Sequence, residues 1–372
     1  MKIISLFNNN GGVGKTTLAY HLANVLAEMG KKILIMDLDP QCNITICCID
    51  QKQIENIWKN EDGFIDDYES ACATLSSKKM QEYNKRNHSI HYLLKPTEDG
   101  LSEIPNDQLS EPIHLSKNLD LIPGRLTVYQ YESFISERWS QTYQGNPLAI
   151  RTITRIRKLA ETYGSIYGYD FIIIDTSPSL GALNKVIIST VDGFIIPCLP
   201  DMFSLYGIRN IGNSLKQWYK DFNTIYSLIS DEKRSLFPSN FVHFLGYTIY
   251  NAKKYAGKTN SPWNLSTAHY NYAEQIPTMI NNYIVPEVRK GLTKKQISSP
   301  IGEDAVMHSH NTLPNMSQKY HAPIWRVPDC KDLEQKDAAT IIPNAAKYYR
   351  PTYEKYKVFA EDFLNRISIL DR

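Results

Sequence analysis

The stretch Asn8-Asn9-Asn10-Gly11-Gly12-Val13-Gly14-Lys15-Thr16-Thr17 constrains this chain more than any other. An apolar run, Ile3-Ile4-Ser5-Leu6-Phe7, leads into it. Behind it Leu18, Leu22, Val25, Leu26 and Met29 recur at helical spacing, and Gly30 is placed to stop that helix. Strand, glycine-rich turn and helix start, in that order, make a cradle for phosphate. Glycines let backbone N–H groups close on an anion, and the first helical turn adds partial positive charge. Lys15 supplies a point charge for the outer phosphates, and a hydroxyl at Thr16 is suited to Mg²⁺. A dinucleotide fingerprint fails on spacing, because Thr17 stands where its third glycine belongs. Residues 10–17 are therefore expected to hold a nucleoside triphosphate with Mg²⁺.

At 372 residues the chain admits one large α/β domain or two smaller ones, and 42% hydrophobic content is ample for a core. A formal charge of +2 is too mild to demand nucleic acid and does not exclude it. The six cysteines show no paired CxxC spacing, so neither zinc nor a disulfide framework is indicated. The first apolar run is too short for a signal peptide and no stretch is long enough to span a bilayer, so a cytoplasmic location is expected.

Two further strand ends carry carboxylates. Ile33-Leu34-Ile35-Met36-Asp37-Leu38-Asp39-Pro40-Gln41 reads as a buried parallel strand that delivers Asp37 and Asp39 towards the phosphate loop. Phe171-Ile172-Ile173-Ile174-Asp175 delivers one carboxylate suited to holding Mg²⁺. The polar turn Thr176 to Gly181 follows, placed to sense the γ-phosphate. More strands are expected at 118–122, 193–197, 244–250 and 323–327. Asn146-Pro147 should open a helix whose other side carries a solvated stripe of Arg151, Arg155 and Lys158. Residues 50–117 read as two helical segments and a loop in a partly inserted, lid-like or partner-facing region. Residues 255–310 should alternate loops with a helix near 270–283. A last amphipathic helix from Pro351 should pack on the sheet rather than on a membrane.

With these sites in order, the sequence resembles the ParA/MinD family of deviant Walker-A ATPases, and most of all its ParA-type branch. The matching pieces are Gly11 to Thr17, Asp37-Leu38-Asp39-Pro40-Gln41, Asn118 to Pro123 and Tyr169 to Gly181, with weaker similarity at Phe203 to Gly207 and from His310-Asn311 to Pro323. The resemblance implies a mainly parallel, doubly wound sheet forming one ATPase domain over 1–372. The least matched stretches, about 50–90 and 255–310, are expected to be partly inserted regions. It further implies ATP–Mg²⁺ binding, a face-to-face homodimer, and slow hydrolysis stimulated by a protein partner. By motif match Lys15 and Thr16 take the phosphate and Mg²⁺ roles, Asp39 orients the hydrolytic water, and Asp175 holds Mg²⁺ with Asp37 near it. Non-specific DNA binding is implied through Lys216, with Lys253 and Lys254 as additions. Asn251 and Asn311 fall where such folds hold the base.

One departure stands out. The family's signature lysine precedes the two glycines, and here that position is Asn10. Asparagine can donate a hydrogen bond but cannot neutralise charge on a partner's phosphates. Two functions follow from this: a ParA-like ATP-driven dimer switch in DNA partition or a related positioning task, or a hydrolysis-poor nucleotide-binding scaffold. A reductase of the related iron-protein type is disfavoured, because no cysteine spacing suits a shared iron–sulfur cluster.

Overall fold

The phosphate-loop strand lies inside the sheet, flanked on both sides by parallel neighbours. The computed structural model describes residues 1–254 and 263–371. Its seven strands are β1 (Lys2–Leu6), β2 (Ile33–Asp37), β3 (Ile113–Ser116), β4 (Leu119–Ile122), β5 (Phe171–Asp175), β6 (Gly193–Cys198) and β7 (His243–Ile249). They stand in the order β3-β4-β2-β5-β1-β6-β7, all parallel except β3, which turns back along β4. Strands covered on both faces need continuous apolar runs, and β1, β2, β5 and β6 supply them. This is the doubly wound P-loop architecture.

Helices clothe both faces. On one, α1 (Lys15–Glu28) packs with the C-terminal helix Pro351–Ile367, joining Leu18, Leu22 and Leu26 to Tyr356, Phe359 and Phe363. Between β2 and β3 stand α2 (Asn43–Cys48), α3 (Gln51–Asp66), α4 (Tyr68–Ala73), α5 (Ser77–Asn84) and α6 (Ile90–Glu98). On the opposite face, α6 joins α7 (Tyr129–Thr142), α8 (Pro147–Tyr167), α9 (Ala182–Thr190) and α10 (Met202–Leu228) over one continuous core. No helix among the described residues is long and apolar enough to cross a membrane.

Four expectations are corrected. The segment at 323–327 is not a strand but part of a 3₁₀ helix, Ile324–Asp329. Pro323 and Pro328 remove ladder donors, and the Ile324 N–H is taken by His21 Nε2 at 3.2 Å. The unforeseen strand is β3. The 50–117 stretch holds four helices rather than two, and its Phe64, Tyr68 and Tyr92 are rooted in the main core. Arg155 is no solvated residue, since it is 4% exposed and paired with Glu103, while Arg151 is half-buried and Lys158 exposed. The helix expected at 270–283 is two, Thr267–Ala273 and Ile276–Tyr283, with Pro277 in the first turn of the second. The part of the predicted 255–310 insertion at 255–262 lies outside the described residues.

Candidate nucleotide site

The loop after β1 is pinned before any ligand arrives. Asn8 Nδ2 donates to the Pro197 carbonyl at 2.7 Å, and its Oδ1 accepts the Asn10 N–H at 3.0 Å. Gly12 and Gly14 adopt left-handed φ of 74° and 83°, which glycine takes without strain. Gly14 is needed for space as well, because a Cβ there would lie 2.2 Å from Cδ1 of Tyr250. That ring is held in turn by a 3.2 Å contact between the Tyr250 and Tyr356 hydroxyls. The loop and ring border a cleft of about 490 Å³, closed by Asp39 and Gln41 on one side and His310 and Asn311 on another.

Lys15 folds back over the loop, its ammonium donating to the Asn10 carbonyl at 3.0 Å. Burial lowers its pKa to about 8, against the pull of the Asp175 and Asp39 carboxylates. Asp175 is wholly buried, and burial, then Asp37, raises its pKa well above the usual range. Its Oδ2 accepts the Thr16 hydroxyl at 2.9 Å, while Oδ1 is buried with no partner among the described residues. An orphaned carboxylate oxygen beside a phosphate-loop threonine fits Mg²⁺ and its water shell.

The two aspartates after β2 divide. Asp39 lines the cleft, its Oδ1 fixed by the Gln41 N–H at 2.9 Å, and burial raises its pKa. Asp37 was expected beside the metal, but its carboxylate is turned inward. Its Oδ1 accepts the Asp39 N–H, and its Oδ2 accepts both the N–H and the hydroxyl of Thr45. Burial pushes its pKa up to about 7. It stands behind the cleft and holds the loop that carries Asp39.

A family model described as an AAA domain matches residues 1–228, more than half the chain. This chain belongs to the ParA/MinD family of P-loop ATPases. The Bacillus subtilis sporulation initiation inhibitor protein Soj is 27% identical over 225 residues, covering 60% of this chain and 68% of Soj. Among solved structures, Corynebacterium diphtheriae protein DIP2308 superposes with TM-score 0.63 at 24% identity over 88% of this chain and 98% of its own. The pNOB8 ParA bound to nonspecific DNA gives 0.52 at 18% over 99% and 98%. The chain spans about half to two thirds of the length of the curated relatives it matches.

Within this ParA/MinD fold, the signature position is visible in detail. Asn10 Nδ2 donates at 2.8 Å to the Phe203 carbonyl, in the first turn of α10 of the same chain. Asn251 and Asn311 both line the cleft with left-handed φ of 56° and 51°. Exposed Lys253 and Lys254 line an adjoining cleft of about 750 Å³ with His308 and Lys355, whereas exposed Lys216 lies apart from it on α10. Tyr250, His310 and Gln41 are cleft residues that motif reading passed over. The only sequence signal for Tyr250 was its position one residue past a strand end.

Proposed function

We propose that this protein is a ParA-type ATP-driven dimer switch acting in DNA partition or a related positioning process. The observation that carries it is the convergence of Lys15, Thr16 and Asp39 on one cleft, with Asp175 buried behind Thr16 and bonded to its hydroxyl. Residues Asn10 to Thr17 wrap the phosphates, and Asn311 stands at the nucleoside end. Thr16 and Asp175 would hold Mg²⁺, which when bound neutralises charge on the phosphate oxygens. Lys15 adds a buried positive charge beside the phosphates. Asp39, rigid and facing the cleft, orients the water. We read residues 1–372 as one ATPase domain, with the helical unit after α2 and the stretch 255–310 as its additions. A protein partner stimulates turnover, and Lys216, Lys253 and Lys254 contact non-specific DNA; the DNA complex of a similarly folded ParA supports this last point.

Asn10 favours a second reading. Its side chain is spent on Phe203 of its own chain and carries no charge to a partner's phosphates. A trans-acting cation is worth about 10³–10⁵ in rate in related phosphoryl transfers. A hydrolysis-poor nucleotide-binding scaffold is therefore the alternative. Turnover and oligomeric state, measured with ATP–Mg²⁺ and with ADP for the wild type and Asn10→Lys, separate the two. An ATP-dependent wild-type dimer with slow turnover supports the switch. A monomer that binds ATP without turnover, rescued by lysine, supports the scaffold.

A further inference from the structure

The helical unit α3 to α6 has no part in the site as described, yet it is joined to it. The join is the turn Pro123-Gly124-Arg125 at the end of β4. Helix α6 holds this turn through the Ile90 N–H on the Pro123 carbonyl at 2.8 Å. Helix α3 holds it twice. Trp58 Nε1 donates to the Gly124 carbonyl at 3.0 Å, and Arg125 Nη1 returns a bond to the Trp58 carbonyl at 2.8 Å. Arg125 also pairs with Asp62 and with Glu61. Glu61 is 0% exposed and accepts both the N–H and the hydroxyl of Ser89 at 2.6 Å, which ties α3 to the start of α6.

From the same turn the chain of bonds runs inward. The Gly124 N–H donates to the Thr45 hydroxyl at 2.8 Å, and that hydroxyl donates to Asp37 Oδ2 at 2.5 Å. The other oxygen of Asp37 accepts the backbone N–H of Asp39 at 3.1 Å. Gly124 presses on this carboxylate so closely that a Cβ would lie 2.8 Å from Asp37 Cγ and Oδ2. Fully bonded buried polar networks are rigid, so a displacement at one end is passed on.

We infer that the helical unit 51–98 sets the position of the hydrolytic aspartate Asp39 through the buried relay Trp58–Gly124–Thr45–Asp37. Thr45, Asp37 and Trp58 are positioning residues, and a partner that shifts α3 alters turnover without touching nucleotide. The inference rests on the reading of Asp39 as the residue that orients water. A misplacement of about 1 Å in such a group costs on the order of 100-fold in rate.

The test uses the full chain with Thr45→Val, Thr45→Ser, Gly124→Ala and Trp58→Phe. Thr45→Val and Gly124→Ala should lower kcat by roughly tenfold or more while ATP affinity stays within about twofold. Thr45→Ser, which keeps the hydroxyl, should restore kcat. Trp58→Phe should lower kcat less, and add nothing to Thr45→Val in the double variant, because both cut one chain. Additive losses, or losses confined to KM, overturn the relay. Asp39→Ala is run beside them. If it leaves turnover unchanged, the hydrolytic reading of Asp39 has failed, and the relay is judged by Trp58 emission, taken as wild type minus Trp58→Phe. Emission that responds to ATP–Mg²⁺ in wild type and is silent in ATP-bound Thr45→Val sustains the mechanical link. Emission unresponsive in wild type, or equally responsive in both, removes it.

Discussion

Thr16 and Asp175 are joined by a 2.9 Å hydrogen bond that uses one carboxylate oxygen and leaves the other buried without a partner among the described residues. The Lys15 ammonium, one residue before Thr16, favours the ionised form of this carboxylate. The register of the sheet adds Asp37 at the same level on the adjacent strand, since Asp37 pairs with Asp175 between β2 and β5. Burial is the main reason both titrate high, and the Asp37 charge adds to the rise at Asp175. A bound cation relieves the repulsion between the two.

Asp175→Asn keeps an acceptor for Thr16 and removes the charge. ATP affinity measured with excess Mg²⁺ should fall by roughly tenfold, about 1.4 kcal/mol. Affinity measured in EDTA should hardly change. Equal losses in both conditions would show that Asp175 serves the fold rather than the metal.

Gly14→Ala meets two obstacles. Alanine at a φ of 83° costs about 1–2 kcal/mol in the backbone, and its methyl would collide with the Tyr250 ring. Tyr250 cannot swing aside without breaking its contact with Tyr356. Thermal unfolding of the unliganded variant should report the backbone cost, and calorimetric titration should show ATP binding lost. Retained ATP affinity would mean that the ring is not a fixed wall of the cleft.

Arg155 tests how the segment that follows α6 is anchored on α8. It is buried on α8, with Glu103 as its ion-pair partner, and two of its nitrogens lack partners among the described residues. Buried pairs of this sort are often matched by an apolar residue of similar volume. Arg155→Met should leave the urea midpoint unchanged or raise it. Glu103→Gln keeps an acceptor but leaves the buried guanidinium without its counter-charge, and should cost about 2 kcal/mol. The reverse ranking would show that the charge itself is required.

What was legible in the sequence was whatever is contiguous. The phosphate loop, the two aspartate-bearing strands and the Asn146 cap are each set by neighbours a few residues apart. The helices of 51–98 were signalled too, since Asp50, Asp67, Ser76 and Ser89 each cap one by accepting a backbone N–H three residues on. Alternating charge runs hid that punctuation. Apolarity misled at 323–327, where Ile324 and Val327 are buried against Tyr320, Ile341 and Tyr349 rather than in a sheet. The relay to Asp39 and the Tyr250 wall were out of reach, because each joins residues far apart in the chain. Asp37 read like Asp39, and only the place of Thr45 and Gly124 separates their roles.

His21 gives a pH dependence with a definite sign. Its Nδ1–H donates to the Thr17 carbonyl at 2.7 Å, and Nε2 accepts the Ile324 N–H, so both nitrogens are used by the neutral ring. The ring stacks on Tyr356 at 4.8 Å, and burial lowers its pKa to about 4. Unfolded, the ring takes its proton near pH 6.5. The stability it contributes is therefore complete above that pH and is lost as pH falls towards 4. At pH 5 the loss is about 2 kcal/mol. Asp37 acts in the opposite sense, since its folded pKa of about 7 lies above the unfolded one and favours the folded state as pH drops. The difference between wild type and His21→Gln isolates the histidine. Glutamine can still accept the Ile324 N–H but does not titrate. Urea unfolding at pH 7 and pH 5 should show the wild type losing about 2 kcal/mol more than the variant across that interval. Parallel losses would mean that His21 is protonated in the folded protein and that the Thr17–His21–Ile324 bridge is not formed as described.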